Sequence, residues 1–110
     1  MTGTALDLGH GHLLTFIGWH PDDLPANREL YGFPLPSVDR AGANVHHPRK
    51  DGPGECDAFI HFDLPETKPW FDKRTVWQVQ SWEPLTLSPS LLCTECGDHG
   101  FIREGRWVPA

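Results

Sequence analysis

No run in this 110-residue sequence approaches the roughly 20 consecutive apolar residues that a helical membrane span needs, so no membrane partner is expected. The opening, MTGTALDLGHGHLL, has neither the charged n-region nor the long apolar stretch of a secretory signal, which makes a cytoplasmic, reducing compartment the expectation. Cysteine is sparse and odd in number: Cys56, Cys93 and Cys96 cannot build the disulfide framework of a small secreted domain. Cations are scarce too, nine Lys and Arg against fifteen Asp and Glu. The resulting net charge of −6 works against a phosphate backbone, so nucleic acid is not an expected partner. Long helices are also missing. Eleven Gly and eleven Pro make up a fifth of the 110 residues, and both disfavour helix interiors. Internal repeats and low-complexity linkers are absent.

What remains is aromatic and turn-rich. Five Trp and six Phe supply large apolar area, enough for one small core, and the length suits a single domain over residues 1–110. The expected fold is mainly β: a small antiparallel β domain with a zinc-knuckle-like turn and a long irregular N-terminal half. Strand patterns stand at 12–18, at 57–63 and most clearly at 75–82, TVWQVQSW. Along 57–63, Ala58, Ile60 and Phe62 share one face, and Phe59, His61 and Asp63 the other. Short extended pieces follow at 85–87 and 90–93, interrupted by Pro89. Residues 101–108 read as a hairpin turning at Glu104-Gly105, where glycine supplies positive φ. Between 19 and 56 the chain is dense in Pro, Gly, Asp and Asn. One helical turn around Ala26–Leu30 is the most it should hold, and 38–55, VDRAGANVHHPRKDGPGE, reads as a long exposed loop. Trp70, Trp77, Trp82 and Trp107 are read as packing residues, and Arg40, Arg49 and Lys50 as a small solvated basic island.

The chemistry concentrates in 86–108. Cys93-Thr-Glu-Cys96 is a C-x2-C followed by Gly97, the build of a zinc knuckle: a tight turn faces two thiolates toward one cation, and glycine relieves the turn. There is no second pair to complete four thiolates. Cys56 can supply a third, and His47, His46 or His61 the fourth ligand, which gives Zn2+ as the expected cofactor. Buried thiols without metal are the plain alternative. Ser88 and Ser90 flank Pro89, and His99 follows nine residues after Ser90. Ser-Pro-Ser commonly makes a turn with capping hydroxyls. Its catalytic reading is a serine nucleophile with His99 as base, since a free hydroxyl is a poor nucleophile at neutral pH. Asp98 is adjacent in sequence and should point away from His99 in extended chain, so Asp57, Asp63 or Glu83 is an equal candidate to orient the imidazole. Backbone N–H groups around 97–100 would bind the oxyanion. No G-x-S-x-G elbow is present. His10 and His12 are read as a polar strand edge, and His61 as a half-buried strand histidine.

The segment Thr86-Leu-Ser-Pro-Ser-Leu, followed by Cys96-Gly-Asp-His99-Gly-Phe-Ile-Arg-Glu-Gly-Arg-Trp107, resembles a small family of proteins of unknown function found in tailed phages and in bacterial operons for ubiquitin-like conjugation. That family carries a Ser-Pro-Ser run, a C-x-x-H, an aromatic, an Ile and a short hairpin ending in an aromatic. These stand here at Ser88–Ser90, Cys96, His99, Phe101, Ile102 and Trp107, with Trp77 as a preceding tryptophan. The likeness covers about the last third of the chain, and the tail ending at Ala110 is similar to the actinobacteriophage branch. The resemblance implies a zinc-stabilised β domain with peptidase activity that trims or removes a ubiquitin-like protein. It makes Ser90 the nucleophile, with Ser88 second, His99 the base and Cys96 a zinc ligand. Relatives hold a Cys-rich cluster ahead of the tryptophan, where this chain has only Cys56; Cys93 stands as a replacement thiolate.

Two functions follow. One is a serine-type peptidase acting on a ubiquitin-like tail or conjugate, with structural zinc on Cys93, Cys96, Cys56 and His47. The other is a non-catalytic zinc-binding module of phage type that engages a host protein, suggested by the acidic charge and the long loop. A third, with His99 as ligand to a catalytic metal, lacks any H-E-x-x-H.

Overall fold

The structure is a computed structural model that describes residues 5–21, 26, 29–30, 32, 37–67 and 75–110. Nine strands run through the described residues in chain order: β1 (Leu6–Gly9), β2 (His12–Trp19), β3 (Val38–Pro48), β4 (Glu55–Phe62), β5 (Val76–Trp82), β6 (Leu85–Ser88), β7 (Leu91–Leu92), β8 (His99–Arg103) and β9 (Arg106–Pro109). β1 to β6 form one sheet in chain order, and β7 to β9 a second, three-stranded one. Every neighbouring pair is antiparallel except β4 and β5, which run parallel with His61 opposite Val76 and Phe62 opposite Trp77. The mainly β class is as expected, with this one parallel pairing making the larger sheet mixed. Among the described residues no helix is long and apolar enough to cross a membrane. The expected helical turn around Ala26–Leu30 falls largely outside the described residues, and Trp70 lies outside them altogether.

The largest departure from expectation is β3. Residues 38–48 form an eleven-residue strand where a loop was expected. Ala-Gly-Ala-Asn has little intrinsic strand preference, but tertiary context overrides that. β3 is paired on both sides, with β2 from Val38 to His46 and with β4 from Gly42 to Pro48. Its small residues let the neighbouring backbones approach closely. At Gly42 an added Cβ would stand 2.2 Å from the Ile60 carbonyl oxygen, a backbone atom that cannot step aside. β1 was not anticipated either. It is joined to β2 through Gly9, His10 and Gly11, all at positive φ.

The core lies between the two sheets. Leu8, Leu14, Ala43, Val45, Ile60, Phe62, Leu85 and Leu87 from the large sheet meet Leu91, Ile102 and Trp107 from the small one. The alternation expected on 57–63 holds, with Ile60 and Phe62 buried and Phe59 67% exposed. The C-terminal hairpin turns at Glu104 and Gly105, with φ of 52° and 74°, the signature of a type I′ turn. Its tip is fastened to β6: the Gly105 N–H donates to the Leu85 carbonyl at 2.8 Å, and the Glu104 N–H to Thr86 Oγ1 at 3.0 Å.

Gly42→Ala is predicted to lower stability by about 1–3 kcal/mol through overpacking against β4. Gly52→Ala, where an added Cβ meets nothing within 4 Å, serves as the control. Urea midpoints with unchanged m-values check this; equal midpoints for the two variants would contradict the close β3–β4 approach.

Candidate functional site

β3 and β4 hold half of the first cluster. His47 continues the inward face of Ala43 and Val45, and the strand register sets it directly opposite Cys56. Its Nδ1 lies 2.9 Å from the Val45 carbonyl oxygen, to which it donates. That bond assigns the proton to Nδ1 and leaves the Nε2 lone pair free to bind. The other half comes from the knuckle between β7 and β8. The Gly97 N–H donates to the Cys93 carbonyl and the Cys93 N–H to the Asp98 carbonyl, both at 2.7 Å. Gly97 takes φ 84° to complete the turn. Arg49, paired bidentately with Asp51 at 2.8 and 2.9 Å, also donates to the Glu95 carbonyl and so ties the β3–β4 loop to the knuckle.

Together these elements place one ligand atom each of His47, Cys56, Cys93 and Cys96 within 4.8 Å of one another, all four residues buried. Cys56 Sγ and Cys93 Sγ are 3.5 Å apart, and Cys96 Sγ is 3.4 Å from His47 Nε2. A tetrahedral ion with thiolate and imidazole ligands requires edges of about 3.8 and about 3.6 Å. Those two separations lie within a few tenths of an ångström of such edges, and all four donor atoms fall within 4.8 Å of one another. Of the three histidines considered as fourth ligand, His47 faces the thiols. His46, one residue earlier, projects from the opposite face of β3 and bonds Asp57 and Glu55 at 2.7 and 2.8 Å. His61 is half-buried on β4.

The thiols differ electrostatically. Burial pushes the Cys56 pKa up to about 11, with Cys93 beside it adding to the effect. Burial also works against the Cys96 thiolate, but N–H groups of the Lys50 and Asp98 backbone and the His47 ring outweigh it, lowering its pKa to about 7. A cation bound among them would supply what the remaining thiols lack.

The second constellation sits on the outer face of the three-stranded sheet. Leu91 pairs with Gly100 and Leu92 with His99. One register step further, Ser90 faces Phe101, so Ser90 and His99 lie diagonally on the same side. His99 Nε2 is 2.9 Å from Ser90 Oγ. Trp77 Nε1 donates to the Ser90 carbonyl at 3.2 Å and holds the residue before β7 in place. His99 is not among the groups that could share a metal. Ser88, at the end of β6, is paired with Gln78 of β5.

One expectation about this dyad fails. None of the proposed orienting carboxylates reaches His99: Asp57 bonds Asn44 and His46, and no bond from Asp63 or Glu83 to His99 exists among the described residues. Of the N–H groups around 97–100, that of Gly97 is spent within the knuckle.

One residue was underrated. His12, expected at a polar edge, is 4% exposed. Its Nε2 lies 2.5 Å from Asp98 Oδ2, and its Nδ1 2.9 Å from the His10 carbonyl. Its ring stacks on Trp107 at 4.1 Å and on His47 at 5.4 Å between centroids. Asp98 does point away from His99, as expected of extended chain, and the partner it finds is His12. The available signal was spacing: His12 lies two before Leu14 and so shares its inward face. Gly100 makes room for the stack, since a Cβ there would meet Trp107 Cζ2 at 2.5 Å.

His12→Ala would leave Asp98, whose side chain is 14% exposed, without its partner. A loss of about 2–4 kcal/mol is predicted, from the broken pair plus the cavity. Urea unfolding at neutral pH measures it, and a loss below about 1 kcal/mol would show that the stack is ornamental.

No curated protein and no solved structure matches the chain. A family model does, over residues 51–110, the stretch that carries Cys56, the knuckle, Ser90 and His99 but not His47. That family is described as the serine protease of bacterial ubiquitination-like systems (BubE), and with more than half of its length matched, the chain belongs to it.

Proposed function

We propose that this protein is a serine-type peptidase acting on a protein of a ubiquitination-like system, either a ubiquitin-like tail or a conjugate. The observation that carries the reading is the 2.9 Å contact between Ser90 Oγ and His99 Nε2, on a face open to a macromolecular substrate. It lies in the stretch matched by a serine protease family. Ser90 donates its hydroxyl proton toward Nε2. As Oγ attacks the carbonyl carbon, that proton passes to His99, which then returns it to the departing amine. Water, deprotonated by His99 in turn, cleaves the resulting ester and frees the serine.

The metal in this reading is zinc, held by His47, Cys56, Cys93 and Cys96. Three sulfurs and one imidazole suit zinc better than the hard, oxygen-seeking cations, and the closed set leaves no position for substrate. When bound, zinc supplies charge that keeps the thiols deprotonated and cross-links β3, β4 and the knuckle. The residues themselves do the positioning: the knuckle sets where β8 begins, and therefore where His99 stands. A site of three thiols also suits a reducing compartment, the cytoplasm.

The non-catalytic alternative, a zinc-binding interaction module, draws on one observation: no carboxylate among the described residues orients His99.

About one zinc per purified chain is expected. Cys96→Ser should lose it together with cooperative thermal unfolding, because structural zinc contributes on the order of 10 kcal/mol in small domains. Metal analysis and calorimetry test this, and a metal-free protein that melts cooperatively would refute it. For catalysis, Ser90→Ala and His99→Ala should each reduce cleavage of a ubiquitin-like protein with a C-terminal extension by roughly a thousand-fold or more. Ser88→Ala is the control. Wild-type Ser90 should also be labelled by a fluorophosphonate. Cleavage that survives Ser90→Ala would favour the module.

A further inference from the structure

The two faces of the β7–β8–β9 sheet differ sharply. Leu91, Ile102 and Trp107 point into the core, 3%, 0% and 4% exposed. On the outer face, beside Ser90 and His99, Leu92 is 57% and Val108 36% exposed, with Phe101 half-buried between them. Phe101 pairs with Val108, and the next outward pair is Arg103 opposite Arg106. Like charges directly opposite each other destabilise a strand pair. Here they stand in a chain of net charge −6, so acidic partners are plentiful in the sequence. Yet no carboxylate among the described residues lies within ion-pair distance of either arginine, not even Glu104 in the turn between them. The Arg103 guanidinium instead rests over the Phe101 ring, 4.1 Å from its centroid. Both arginines and Val108 border an open concavity of about 790 Å³ that reaches Gln80 and Thr86. An uncompensated cation pair at the end of an exposed apolar strip calls for an anionic, partly apolar ligand.

Distance makes that ligand specific. Outward-facing pairs on one strand are two residues, about 7 Å, apart. The arginine pair therefore lies about 7 Å beyond the level of Ser90 and Phe101. A substrate segment laid across this face brings to the arginines a side chain one or two positions from the bond held at Ser90.

We propose that the outer face of β7–β8–β9 is the specificity surface of the enzyme. It selects a protein segment with an apolar side chain at the scissile bond, packed on Leu92, Phe101 and Val108, and a carboxylate one or two residues away, bound by Arg103 and Arg106. The inference rests on the Ser90–His99 reading and adds to it the chemistry of the substrate. Profiling the full chain with a library of internally quenched peptides tests it, with fluorophosphonate labelling of Ser90 run alongside. An apolar residue at the cut and Asp or Glu one or two positions away should be preferred by at least ten-fold over Lys at that position. Arg103→Glu/Arg106→Glu should invert that preference, and the gentler Arg103→Gln/Arg106→Gln should abolish it. Labelled, cleaving enzyme with no acidic preference, or a preference unmoved by the substitutions, overturns the specificity surface while the dyad stands. No labelling and no cleavage overturns the dyad, and this surface with it.

Discussion

Three thiols and an imidazole buried against one another form the point on which the rest of this structure depends. Unbound, they are poor neighbours: burial drives Cys56 toward the neutral thiol while the knuckle amides favour the Cys96 thiolate. Bound to one cation, the same four groups become a cross-link between β3, β4 and the turn that launches β8. The apolar core beside it is one small cluster running from Leu8 to Trp107, so a link of this kind matters for a chain of 110 residues.

The rigidity of that corner spreads through His12. Its ring lies between those of His47 and Trp107, and its Nε2 meets Asp98, the residue directly before His99. One side chain from β2 thus touches a cluster residue on β3, the knuckle exit and the C-terminal hairpin. The consequence is positional. Where Asp98 is clamped inward, the alternation of the strand turns His99 outward, toward Ser90.

Chemistry and stability are therefore segregated by the two faces of one small sheet. The inward face carries Leu91, Ile102 and Trp107, and behind it the Cys/His cluster. The outward face carries the serine–histidine pair, an apolar strip and two arginines. The dyad stands on an exposed strand face, and His99 also borders a concavity of about 350 Å³ that it shares with His10, His12, Lys50 and Trp107. The family match covers the stretch that carries both residues of this pair.

Much of this was legible in local pattern. Alternation marked β4 and β5, the Glu104-Gly105 turn marked the last hairpin, and C-x2-C-Gly marked the knuckle, because each depends on neighbours in sequence. β3 was not legible. Its residues have weak strand preference, and its state is decided by pairing with β2 and β4 on either side. With β3 unread, naming His47 over His46 and His61 had no strand register behind it; the register is what sets His47 opposite Cys56. Nor could spacing reveal that Asp98 would be taken by His12, 86 residues away. By itself the sequence determined the class of fold, the reactive side chains and the turns that present them, all of them short-range properties. Tertiary structure alone decided which histidine faces the thiols, which partner Asp98 finds and which face of the last sheet meets solvent. Those depend on contacts between residues far apart in the chain, and on burial that exists only once both sheets have closed.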